Sequence, residues 1–242
     1  MSRFSPVETS VLTSPAWFLP FDDFARRARS VGVAVALDRW DPAANAWLPA
    51  EDVAPVRTPS AAIAFPDLGR RGGRGAPPRR YRARFAATGF QPLYPADGRP
   101  FTADLVGVEF VAPPYDDTHP PAAAAEPRLV RLLPSTAFDY PPGVRVVRGV
   151  VVDGASGSPV ANALVEASGT AGLDAVPWLE RTLTDSGGAF RLSLRWEGER
   201  VPGGAEVFVL RATERPGRAG SLSVRLPDER DRRHLIEIVD QQ

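Results

Sequence analysis

The chain has 242 residues, 43% hydrophobic and 24% charged, and its 29 basic and 29 acidic residues balance to zero net charge. The absence of Cys excludes a disulfide framework, a thiolate nucleophile and Cys-ligated zinc, and the zero charge excludes a global field that would draw the chain to nucleic acid or an anionic membrane. All the basic residues are Arg, and 26 Pro with 21 Gly favour many short strands joined by turns over long helices.

Residues 1–29 read as an irregular, aromatic and Pro-rich arm. Phe4, Trp17, Phe18, Phe21 and Phe24 crowd around Pro6, Pro15 and Pro20, a proline density that argues against a strand. Phe21 to Ala28 has the makings of one or two helical turns, with Asp22 and Asp23 at the positive end and Arg26 and Arg27 toward the other. Trp17, Phe18, Phe21 and Phe24 have two outcomes open to them. They pack back on the chain's own sandwich, or they dock on a neighbouring subunit, since exposed aromatic clusters are costly without a cover. The opening lacks a basic region followed by an apolar core, and no window approaches the roughly 18 apolar residues of a membrane span, so a cytoplasmic product without a membrane partner is expected.

Residues 30–113 read as a first β-sandwich. Val31, Val33, Val35 and Leu37 alternate on one face and stop at Asp38; Trp47-Leu48-Pro49, Thr58 to Leu68 and Tyr81 to Phe85 follow as further short runs, with a turn at Gly89-Phe90. Between them, Gly69 to Arg80 places Arg70, Arg71, Arg74, Arg79 and Arg80 among glycines and two prolines. It lacks the G-x-x-x-x-G-K-[ST] pattern of a phosphate cradle, which leaves a solvated hairpin loop or a partner contact. Residues 114–143 read as a Pro/Ala-rich linker: Pro113, Pro114, Pro120, Pro121 and Pro127 surround four alanines, with an added edge strand at Leu129 to Leu133.

Residues 144–242 read as the second sandwich. Val146 to Val152 is nearly continuous and β-branched and stops at Asp153-Gly154; Ala163 and Val165 alternate with polar neighbours; Thr184-Asp185-Ser186-Gly187-Gly188 turns into Phe190, Leu192 and Leu194 at period two. Ala205 to Ala212, Ser221 to Leu226 and His234 to Val239 bring the strands to about seven. The order carried by Gly149, Val151, Asp153, Pro159, Val160, Ala163, Val165, Thr184, Asp185, Gly188, Phe190 and Leu192 resembles the carboxypeptidase regulatory-like domain. That resemblance implies a transthyretin-like sandwich serving as a non-catalytic accessory. Because Val31 to Leu37 and Thr58 to Leu68 mirror Val146 to Asp153 and Thr184 to Leu192, the expected architecture is all-β: two tandem transthyretin-like or Ig-like sandwiches behind an irregular N-terminal arm, related as a diverged internal repeat.

Chemistry is sparse. Of the two histidines, His119 follows Asp116-Asp117-Thr118 inside a Pro-flanked segment, where nothing would fix ligand geometry, and His234 follows a mixed-charge run. Neither a G-x-S-x-G elbow nor an H-E-x-x-H motif is present. A related transthyretin-like family that hydrolyses a purine-breakdown product needs several histidines and a tyrosine-bearing tail, whereas this chain ends Ile236 to Gln242 without either. The expectation is a non-enzymatic structural or adaptor subunit with no cofactor and no metal, whose partners are other protein subunits, including further copies of itself. Modules of this kind resemble accessory parts of phage tail-like contractile injection particles. The alternative is a ligand-, glycan- or peptide-binding accessory module that uses loops at one end of a sandwich, with Trp178 in a long loop from Ala171 to Arg181 as its contact.

Overall fold

The computed structural model describes residues 14–66, 68–70, 76–94, 100–116, 126–171, 176–201 and 204–241, and among them every regular element is a β-strand. A first group comprises β1 (Trp17–Asp22), β2 (Arg27–Ala28), β3 (Val33–Asp41), β4 (Ala46–Pro49), β5 (Val56–Arg57), β6 (Ile63–Ala64), β7 (Arg79–Ala87), β8 (Phe90–Leu93), β9 (Val108–Ala112) and β10 (Arg128–Pro134). A second comprises β11 (Val146–Asp153), β12 (Leu164–Ala171), β13 (Val176–Leu183), β14 (Ala189–Ser193), β15 (Glu199–Arg200), β16 (Glu206–Arg215), β17 (Arg218–Leu226) and β18 (Arg233–Asp240). The fold is all-β, in two curled sheets.

The first sheet runs β4-β3-β7-β8-β10-β1-β6-β5, with β2 on β1 and β9 on β7; the second runs β13-β12-β16-β17-β18-β11-β14, with β15 on β16. Exchanging β11, β12, β13, β14, β16, β17 and β18 for β1, β3, β4, β6, β7, β8 and β10 converts the second order into the first and preserves chain order. In both units the opening strand lies parallel to the closing strand, β1 on β10 and β11 on β18, and antiparallel to β6 or β14 on its other side. Two units therefore share one topology.

The structure corrects four expectations. The residues read as an irregular arm supply β1, and those read as a linker with an edge strand supply β10, which lies inside the sheet between β8 and β1. The strand matching β11 is accordingly β1; the run at Val33 matches β12. The helical turns expected at 21–28 are absent: Asp22 Oδ1 accepts from the Ala25 backbone N–H at 2.8 Å, Arg26 takes φ 56°, and the chain reverses into β2. Pro20 is accommodated within β1 in register with Val130 of β10, with its carbonyl accepting from the Arg29 N–H at 2.8 Å, a contact that makes no use of the N–H it lacks.

Each unit has its own core. In the first, the ring of Phe18 meets those of Phe65, Phe85 and Phe110 edge-on at 6.2, 5.4 and 5.5 Å. Such pairs add to the stabilisation from burial alone. In the second, Phe190 packs under Gly149, where a Cβ would stand 2.7 Å from the ring and 2.4 Å from the His234 carbonyl oxygen. Only glycine permits that approach.

The units meet along a seam. Leu133, Leu164 and Leu183 form a small core with Leu93 and Phe101, and Thr182 Oγ1 donates to the Pro134 carbonyl at 2.7 Å. Two buried carboxylates flank it. Asp23 accepts from Arg131 of β10 and Arg181 of β13, each at 2.9 Å, and Glu180 accepts from Arg195 Nε, Ser193 Oγ and Trp196 Nε1 at 2.9, 2.9 and 3.0 Å. Buried charge is tolerated only when paired and hydrogen-bonded.

Candidate docking surface

The residues that the sequence offered for partner contact are placed mainly on the chain's own packing. Phe18 is fully buried. Trp17 is half-buried and donates Nε1 to the Ser14 carbonyl at 3.0 Å; Phe21 lies under Arg131, 5.6 Å from guanidinium carbon to ring centroid; Phe24 sits at the seam against Phe138 and Tyr140. Trp178 lies within strand β13, not in a loop: it is buried, 6.1 Å from the ring of Phe208, and covers Gly169, its register partner. Bare glycine and indole fill that position together. Arg70 is exposed, next to Gly69, whose carbonyl accepts from the Tyr115 N–H at 3.1 Å; Arg71, Arg74 and His119 lie outside the described residues. His234 is buried with Nε2 3.2 Å from the Glu229 carbonyl oxygen, and no three metal-ligating side chains converge among the described residues.

The aromatic surface that faces outward lies elsewhere, on β4, β3, β7 and β9. The β3–β4 hairpin turns through Asn45, at φ 49°, and brings Trp40 opposite Trp47. Their rings meet at 5.3 Å and 66°. Arg80 of β7 lies over both, at 5.4 and 5.8 Å, and Arg82 lies 4.8 Å over Trp47. A cation held over an indole face in this way is favoured electrostatically and stiffens both partners.

The arginines are themselves fixed from the next row of the sheet. Asp38, opposite Arg82 in the β3–β7 register, is buried; it accepts from Arg82 at 3.1 and 2.8 Å and from Arg84 at 2.8 and 2.9 Å. Burial works against the ionised carboxylate, but the two guanidinium forks outweigh it and hold the Asp38 pKa below its ordinary value. Arg80 is steadied by Glu109 at 3.0 Å. Beside the ladder a groove of about 560 Å³ opens at the same end of the sheet, lined by Arg39, Trp40, Asp41, Pro42, Leu48 and residues 77–80. The result is a rigid row of two indoles and two guanidiniums, the side chains that most often anchor interfaces.

Sequence reading missed Trp40 and Trp47. The available signal was their spacing, a tryptophan on each side of Asp41-Pro42-Ala43-Ala44-Asn45-Ala46, which is a turn-forming stretch between two short extended runs.

No family model matches the chain and no curated protein matches it, so the carboxypeptidase regulatory-like resemblance of residues 144–242 rests on the residues quoted for it. Among solved structures, a streptococcal ancillary pilin aligns with 97% of this chain at 11% identity and a TM-score of 0.28. The chain spans 64% of that pilin chain, and a likeness at this TM-score carries no argument about function.

Proposed function

We propose that this chain is a non-enzymatic structural or adaptor subunit that holds a protein partner on the Trp–Arg face of its first unit. The observation that supports this reading is the ladder of Trp47, Trp40, Arg80 and Arg82, fixed from behind by Asp38 and presented on strands rather than loops. Pre-ordered aromatic and Arg side chains lose little freedom on binding, which is what an interface anchor requires. The finer reading is that the assembly is a phage tail-like contractile injection particle built in the cytoplasm. Its support is the resemblance of modules of this kind to accessory parts of such particles.

A second reading is favoured by the groove beside the ladder: at about 560 Å³ it has the size of a ligand site, and its Pro and Trp lining suits a glycan ring or an extended peptide. Affinity purification of the tagged full chain from its native cells, beside the Trp47→Ala/Arg80→Ala variant, separates the two. The expected result is a stoichiometric protein partner retained by the natural chain and lost by the variant at unchanged melting temperature. Sheath, tube or baseplate proteins among the retained partners would support the finer reading. Equal retention by both chains would overturn docking through this face, and a glycan retained without protein would replace it with the second reading.

A further inference from the structure

On the outer face of the second unit, three arginines stand side by side across three strands. Arg148 of β11 is the register partner of Arg191 on β14 and of Arg233 on β18, so the three share one rung, with neighbouring strands about 4.8 Å apart. Like charges placed directly opposite each other in a sheet destabilise it unless something neutralises them. Little among the described residues does so. Arg191 donates to the carbonyls of Thr136 and Phe138 and lies over Tyr140, whereas the side chains of Arg148 and Arg233 make no ion pair or hydrogen bond among the described residues. Of the carboxylates in the surrounding groove of about 500 Å³, Asp185 is occupied by the Gly187 and Ala189 N–H groups and by Thr136 Oγ1, leaving Asp231 against the arginines. A further groove of about 300 Å³ adjoins it on the Arg230 side.

The next rung along the same strands is apolar: Leu235, Val150 and Ala189 pair across β18, β11 and β14, and Leu235 is 53% exposed. Two rungs of different chemistry therefore lie one strand repeat apart on one sheet face, exposed at Arg148, Arg233 and Leu235. We propose that this face binds an extended acidic–aliphatic segment of a protein partner, with a carboxylate on the Arg148–Arg233 pair and an aliphatic side chain, two residues along, on Leu235 and Val150. Guanidinium forks match carboxylates bidentately, and the alternation of an extended peptide places residues i and i+2 on one face at the spacing of the two rungs. A nucleic-acid backbone suits the face less well: the adjoining rung of Leu235, Val150 and Ala189 is apolar and offers no polar group to a sugar. This surface lies on a different unit from the Trp–Arg ladder and is independent of it.

The test is fluorescence anisotropy of the full chain with a labelled blocked peptide of repeated Glu-Ser-Leu-Ser, beside the same peptide with Gln in place of Glu and a labelled thymidine oligonucleotide. The glutamate peptide should bind, weaken with added salt, and exceed the glutamine peptide by about tenfold or more. Arg148→Gln and Arg233→Gln, made singly, should each cut that affinity by about tenfold, and Leu235→Ser should weaken both peptides alike. Because each arginine change relieves like-charge contact, melting temperature should hold or rise. Three outcomes would overturn the proposal: equal binding of the two peptides, glutamate-peptide affinity unchanged in both arginine variants, or tighter binding of the oligonucleotide than of the peptide.

Discussion

Arg195 grips Phe24 twice: its guanidinium carbon lies 4.3 Å from the centre of the ring, and its Nη1 donates to the Phe24 carbonyl at 2.7 Å. The residues are 171 positions apart and belong to different units, so the contact is a clasp across the seam. Arg195 also supplies Glu180 with a 2.9 Å hydrogen bond, and that carboxylate is buried. Phe24→Ala should cost about 2 kcal/mol through lost ring contacts, and Arg195→Ala about 3 kcal/mol or more, because it strips a buried charge of its best partner. Urea denaturation of both variants checks this. A smaller loss for Arg195→Ala than for Phe24→Ala would mean that Ser193, Trp196 and the more distant Arg26 satisfy Glu180 unaided.

Among the fully buried side chains of the second core Phe190 is the largest, at 1% exposed. Phe190→Ala leaves a cavity roofed by Gly149, which has no side chain to collapse into it, so the loss should reach roughly 3 to 5 kcal/mol. Chemical denaturation gives the value directly, and a loss below about 1 kcal/mol would contradict the packing.

The strands of the second unit were legible because Val146 to Val152 and Phe190 to Leu194 carry a clean hydrophobic pattern between turn residues. The opening strand of the first unit was not, because the pattern Trp-Phe-Leu-Pro-Phe-Asp hides its alternation: Pro20 and Asp22 take inward positions, the first bonded through its carbonyl to Arg29 and the second used to cap a turn. The repeat was visible in outline and misread in register, since matching β3 to β11 by composition overlooked that the parallel partner of each opening strand lies more than 80 residues downstream (Phe18 against Arg128, Arg148 against Arg233). Trp178 reads as a loop residue in sequence; that it lies in β13 with its indole filling the gap above Gly169 depends on a cross-strand pairing that the sequence alone does not reveal.

Asp38 ties the Trp–Arg ladder to pH. Its folded-state pKa is depressed below the ordinary Asp value, so it contributes stability that is fully present above the unfolded value and is lost as pH falls through the lower folded value. Acid titration of thermal stability should therefore show a loss beginning near about pH 4 and continuing below it, and Asp38→Asn should remove that part of the slope. The same variant frees Arg82 and Arg84, so the tryptophan fluorescence of the ladder should lose its acid-dependent change. A variant with an acid profile identical to that of the natural chain would show that the two forks do not hold this carboxylate.

The shared topology predicts where the chain tolerates cutting. A fragment that begins near Tyr140 keeps β11 to β18 and the whole second core, and loses only the seam contacts, so it should fold and melt cooperatively. A fragment that begins at Leu129 looks more generous but carries most of β10 without β1 and β8, the strands that hydrogen-bond it, and so exposes Val130, Leu132 and Leu133 on an unpaired strand. Unpaired apolar edges invite association. The longer fragment should therefore elute as larger species in size-exclusion chromatography while the shorter one stays monomeric. Removing residues 1–22 from the full chain deletes β1 and with it Phe18, around which Phe65, Phe85 and Phe110 pack, so the first unit should lose its cooperative transition while the second retains its own. A truncated chain that still melted in both units would show that β1 is dispensable, and the parallel pairing of opening and closing strands would then not be what holds each unit shut.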